Sequence, residues 1–156
     1  MSEQKQFDKD LYDRWDSKGK NKISNIVKNN TKFKVIDPIT QFDVDLLVYD
    51  EGDYKFNIEV EIKLVWGTKE FLYNTVQFPA RKEKFCHKEK PTLFVMFNKD
   101  TSSYLCVTSK DLLDSPTHIV RNKYVRDGEY FFQVPVEKVI FNDITKAIKR
   151  LGITNV

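Results

Sequence analysis

Two neighbouring segments alternate between apolar and polar residues with the period of a β-strand. In Tyr54 to Trp66 (YKFNIEVEIKLVW), Phe56, Ile58, Val60, Ile62 and Leu64 share one face, and Asn57, Glu59, Glu61 and Lys63 share the other. In Gln41 to Tyr49 (QFDVDLLVY), Phe42, Val44 and Leu46 lie opposite Asp43, Asp45 and Leu47. The intervening Asp50-Glu51-Gly52-Asp53 is a turn by composition. The pair therefore reads as a β-hairpin whose partner positions sum to about 104, with Asp45 opposite Glu59 and Asp43 opposite Glu61. A slip of one residue would separate the two acidic sets.

Other patterns place elements around this hairpin. Phe7, Leu11 and Trp15 form an i, i+4, i+8 helical stripe that Ser17 to Gly19 is expected to end. A second helix is expected from Asn21 to Asn29. Strands are expected at 34–36, 92–97, 104–108 and 130–136. Residues 67–90 read as a loop and then a basic helix after Pro79, 110–113 as one helical turn capped by Ser109, and 143–151 as a last helix capped by Asn142. No segment repeats. The expected class is α/β, a central mixed β-sheet flanked by helices, and 156 residues suit one domain over 1–156.

Composition sets the compartment. Apolar residues make up 40% of the chain and aromatics 13%, enough for a packed core. No apolar run approaches the roughly 18–20 residues that span a bilayer, and Met1 to Asp10 is polar, so neither a membrane span nor a secretory leader is expected. Cys86 and Cys106 are too few for a disulfide scaffold or a four-cysteine zinc site, which favours the reducing cytoplasm.

Charge changes the picture more, because it is segregated. Residues 17–36 hold six lysines and no acid. Residues 37–61 hold eight acids against Lys55, and residues 62–90 hold seven Lys or Arg against three Glu. An acidic centre between basic segments suits a protein that binds a divalent cation with carboxylates and grips a polyanion around it. Four carboxylates on one patch of sheet repel one another, and a bound cation relieves that. Mg²⁺ takes one or two carboxylates plus water and phosphate oxygens, and a lysine beside it can stabilise charge on a transferring phosphate.

Asp45, sixteen residues before Glu61-Ile62-Lys63 across the hairpin, resembles the D…(D/E)xK signature of the PD-(D/E)xK nuclease superfamily, which includes restriction endonucleases and archaeal Holliday-junction resolvases. The order of elements is similar as well. The resemblance implies a restriction-endonuclease-like core acting on DNA with Mg²⁺, for which Mn²⁺ can substitute. Asp45 and Glu61 would be metal ligands and Lys63 the catalytic lysine. Two features depart from the family: Val44 stands where a proline often precedes the first acid, and no Glu lies between Glu3 and Glu51 to serve as a first-helix ligand. Asp13 and Asp16 are the acids available there. Asp43 with Glu59 repeats the sixteen-residue spacing and is a competing assignment, but Glu59 is followed by Val60-Glu61 rather than x-Lys. Asp43 and Glu59 are otherwise assisting groups, as is Gln77, which precedes the basic helix as a Gln does in some superfamily members.

Lys18, Lys20, Lys22, Arg81, Lys82 and Lys84 are the expected phosphate-contacting residues. Cys86-His87 lacks a second ligand pair for zinc, His118 is isolated, and Trp66 reads as core. No phosphate-cradling glycine-rich loop is present, so no nucleotide cofactor is expected. The leading expectation is a metal-dependent endonuclease of phage or mobile-element type that forms a homodimer. Two alternatives stand beside it: a catalytically inactive nucleic-acid-binding protein or accessory subunit with a nuclease-like fold, and a protein whose hairpin binds Ca²⁺ structurally.

Overall fold

A computed structural model describes residues 9–38, 44–121 and 128–156, with side chains of the first helix described from Asp16 onward. The helical stripe of Phe7, Leu11 and Trp15, the side chain of Asp13, and the segment 41–43 with Asp43 lie outside the described residues.

The acidic hairpin has the expected register. Strands β2 (Leu46–Asp50) and β3 (Asp53–Ile62) pair Leu46 with Ile58, Leu47 with Asn57 and Val48 with Phe56, and a bulge after Val48 carries the chain into the turn. Glu51 and Gly52 both take positive φ there, at 49° and 87°, which the tight reversal requires. With β1 (Lys34–Ile36), β5 (Thr92–Phe97), β6 (Tyr104–Thr108) and β9 (Ile140–Phe141) the hairpin completes a mixed six-stranded sheet in the order β1-β2-β3-β5-β6-β9. Among the described residues of this sheet only the β3–β5 pair is parallel. A second, three-stranded antiparallel sheet has the order β4 (Thr75–Pro79), β8 (Glu129–Pro135), β7 (Thr117–Val120). The class is α/β.

Each face of the large sheet has its own core. Phe56, Ile58 and Val60 of β3 pack with Leu46, Val48, Ile23 and Val27 on one side, where helices α1 (Lys9–Asn30) and α3 (Ile144–Arg150) cover the sheet. On the other side Phe94, Met96, Leu105 and Val107 meet Val76 and Phe78 of β4 and Phe132 and Val134 of β8. This face is covered by the small sheet, by helix α2 (Ser109–Leu113) and by a 3-10 helix over Ala80–His87, so helices alone do not flank the sheet. Each fully buried Phe, Ile or Leu contributes about 1.5–3 kcal/mol of transfer free energy.

Several expectations change at this level. Ser17 to Gly19 does not end a helix, because α1 runs unbroken from Lys9 to Asn30. Gly19 is there for close packing: a Cβ on it would sit 3.2 Å from Val60 Cγ2 and 3.7 Å from Ile62 Cγ1. Val44 does not share a face with Leu46, since the chain bends at Asp45 and sends Val44 into the opposite core. The basic segment after Pro79 is a 3-10 rather than an α-helix, and the residues before it include β4, which was expected to be loop. Caps move by one residue: Thr108, not Ser109, accepts from the Asp111 N–H, and Asp143, not Asn142, accepts from the Lys146 N–H.

Gly19→Leu tests the close approach. The larger side chain is expected to push α1 from β3 and cost about 1–3 kcal/mol, the usual range for overpacking. Chemical denaturation would read the loss, and an unchanged midpoint would mean that the helix is not held at that distance.

Candidate active site

Five parts of the chain converge on a cavity of about 260 Å³ beside the hairpin. Helix α1 brings Asp16 and Gly19, the bend before β2 brings Asp45, β3 brings Glu61, β4 ends at Pro79, and the 3-10 helix brings Arg81 and Lys82. The missing side chain of Gly19 allows α1 to approach β3 closely, and this sets Asp16, one helical turn earlier, on the wall facing Asp45.

Asp45 is fixed by its backbone surroundings. Its Oδ2 accepts a 2.9 Å hydrogen bond from the Val60 N–H, a donor that β2 leaves open because its pairing with β3 begins at Leu46. Glu59, across from Asp45, is buried among Val60, Phe78 and Phe94 with Lys82 beside it. Its carboxyl is pushed up to about 9, first by burial and then by the hydrogen bond and charge of Asp45, against the opposing pull of Lys82. Glu59 therefore holds its proton at neutral pH in the metal-free protein. Glu61 is also raised by burial, partly offset by the charges of Lys82, Lys63 and Arg81. Its Oε1 is buried without a hydrogen-bond partner. A buried, unpaired carboxylate oxygen is costly, and a cation or a ligand donor would satisfy it.

The first-helix acid in the cavity is Asp16. Burial raises its pKa, Lys20 counters this, and the negative charge of Asp45 adds to the rise. Lys20 Nζ lies 3.4 Å from Asp16 and 3.6 Å from Asp37. Burial works against the Lys20 charge, but Asp16, Asp37 and Asp45 together carry its pKa upward. Lys20 therefore faces acids of its own chain rather than open solvent.

The other expected residues fall in different places. Lys18 and Lys22 are exposed on α1, and Lys84 is exposed on the 3-10 helix with Nζ 5.0 Å from the Phe85 ring centroid. Arg81 reaches Glu129 of β8 at 2.9 Å. Lys63 lies just past β3, its N–H bound to the Phe97 carbonyl at 2.8 Å, and does not line the cavity. Gln77 pairs with Gln133 and alternates with the core residues Val76 and Phe78, which turns it away from the large sheet. Trp66 is buried against Phe71 and donates its indole N–H to the Glu70 carbonyl. Cys86 is half-buried with its thiol pushed up to about 12, mainly by burial, and Cys106 is buried. Among the described residues no set of three or more His, Cys, Asp or Glu side chains forms a metal cage. Asp45 and Glu61 do fit an ion that takes two carboxylates and completes its shell with water and phosphate. The position most hidden from sequence reading is Gly19, whose one signal is a glycine three residues after Asp16 in a helix-compatible run.

A scan of protein-family models and a search of curated proteins both found no match to this chain. Among the described residues no helix is long and apolar enough to cross a membrane.

Proposed function

We propose that the chain is a Mg²⁺-dependent deoxyribonuclease with a restriction-endonuclease-like core. The observation that carries this reading is the convergence of Asp45 and Glu61 on one cavity, with a buried Glu61 oxygen left unpartnered, between α1 and the basic 3-10 helix. An acidic hairpin whose second strand also pairs in parallel with β5 supports the finer reading of the fold. Asp45 and Glu61 would hold the metal, which supplies polarisation of the phosphate and a more acidic water. The chain itself orients the reactants: the Val60 N–H fixes the Asp45 carboxylate, and the cavity cations draw in and place the phosphodiester. The water oxygen then bonds to phosphorus in line with the leaving sugar oxygen, whose P–O bond breaks. The water gives up its proton to solvent, and the leaving oxygen takes one from solvent.

The test is cleavage of supercoiled plasmid, linear duplex and four-way junction with Mg²⁺, Mn²⁺ or EDTA. Cutting in both metals and none in EDTA is the expected result. One observation favours a second reading, a nucleic-acid-binding protein without activity: Asp16, Asp45 and Glu61 all line the cavity, yet among the described residues no three such side chains come together as a metal-holding group. That reading takes over if no substrate is cut in any metal while duplex binding weakens steeply with salt.

A further inference from the structure

A phosphodiester in the cavity meets two cations on its wall, Arg81 and Lys82. They are held differently. Arg81 has a side chain 68% exposed, and its Nη1 is committed to Glu129 at 2.9 Å. The Lys82 side chain is only 23% exposed, with Nζ 5.7 Å from the Phe85 ring centroid and 3.7 Å from Glu59 Oε2. That separation exceeds the roughly 2.7–2.9 Å of a charge-assisted hydrogen bond, so the ammonium is steered toward the acids without closing onto one of them. Phe85 is itself buried, and its carbonyl accepts from the Thr92 hydroxyl at 2.6 Å at the start of β5, which anchors the 3-10 helix to the large sheet. Lys82 is thus a preplaced cation on a rigid support. Lys82 lines the cavity beside Glu61, whereas Lys63 does not.

We propose that Lys82, rather than Lys63, is the lysine that contacts the scissile phosphate, its Nζ donating to a non-bridging oxygen as negative charge builds there. This deepens the nuclease reading and rests on it. Phe85 is the positioning residue, its buried ring holding the lysine on the cavity wall. No bond to Lys82 forms or breaks: the water oxygen adds to phosphorus, the sugar oxygen leaves, and the lysine keeps its three protons throughout.

The experiment uses the full chain with Mg²⁺ and supercoiled plasmid, comparing the native protein with Lys82→Met, Lys82→Arg and Lys63→Met. Methionine keeps an apolar stem over Phe85 and removes the charge, which separates chemistry from packing. Lys82→Met is expected to lower kcat by roughly 100- to 1,000-fold, the loss typical for one group that stabilises developing charge. Lys82→Arg should recover part of it, and Lys63→Met should cost far less. Titration with Mn²⁺ alone, without DNA, supplies a second readout: Lys82→Met should bind Mn²⁺ as tightly as the native chain or more so, because a competing positive charge has gone. Lys82→Met that cuts normally, a larger loss in Lys63→Met, or Mn²⁺ binding lost in Lys82→Met would each overturn the assignment. A native chain that cuts nothing in Mg²⁺ or Mn²⁺ overturns the nuclease reading itself, and the lysine assignment with it.

Discussion

Glu61→Gln is expected to abolish metal-dependent cleavage while leaving the metal-free fold as stable as the native one, or more so. Both halves follow from the same atom. In the metal-free protein Glu61 Oε1 is buried with no partner, and burial raises the pKa of the carboxyl, so the negative charge contributes nothing favourable to folding. An amide of the same shape removes that charge. If Glu61 holds a cation as proposed, the charge is its ligand, and losing it should lower the cutting rate by at least on the order of 100- to 1,000-fold. A thermal melt gives the independent reading. Mg²⁺ at a hundred times its dissociation constant stabilises the binding-competent fold by about 2.7 kcal/mol, and this increment should vanish in the variant. If Glu61→Gln still cuts, or melts lower than the native chain in EDTA, Glu61 has been placed wrongly.

The second large effect is a dependence of metal-free stability on pH. The Glu59 carboxyl is pushed up to about 9 in the folded chain against 4.5 for a free glutamate, so between those values the folded chain binds a proton that the unfolded chain releases. Its contribution is fully present below pH 4.5 and is lost as the pH rises through about 9. The native protein in EDTA should therefore lose stability from mildly acidic to alkaline pH. Glu61 and Asp16, shifted in the same direction, add to the slope. Glu59→Gln should flatten the curve and stabilise the protein near pH 9 by roughly 1–3 kcal/mol, the order of an unrelieved buried polar group. Urea midpoints across the pH range measure it. A native curve that rises with pH, or one that Glu59→Gln leaves unchanged, would contradict the protonated Glu59.

What could be read in the chain follows from how each element is stabilised. Strands β2, β3, β5 and β6 have apolar periodicity or continuous apolar runs, and their positions and the hairpin register were legible for that reason. The pairing of Asp45 with the Glu59–Glu61 strand was legible too, since it follows from register. Strand β4 was not: Thr75 to Pro79 ends in a proline, and it is held by pairing with β8, more than fifty residues away in sequence. Gly19 reads locally as a breaker, because its reason lies in Val60 and Ile62 on another element. The turn of Val44 into the second core is equally non-local, since alternation continues in the sequence past the bend where it stops in space. For the site, the acids were legible, and Arg81 and Lys82 were legible as a basic segment, but not which lysine stands beside the acids. Lys63 shares the periodicity of Glu59 and Glu61, whereas the place of Lys82 beside them depends on how residues 63–91 cross from β3 to β5.

That crossover also sets the order in which the molecule assembles. The β2–β3 hairpin closes a short loop, a microsecond event for a chain of this kind. Pairing β3 with β5 joins Asn57 to Thr92 and must enclose everything between them, including β4 and the 3-10 helix. Contacts so distant along the chain carry a larger closure entropy and form late. A newly made chain is therefore expected to bring its acids together before Lys82 and Arg81 join them. Until the crossover docks, the acids share their patch of sheet with neither cation beside them, so if the nuclease proposal holds, a half-folded molecule repels DNA rather than cutting it.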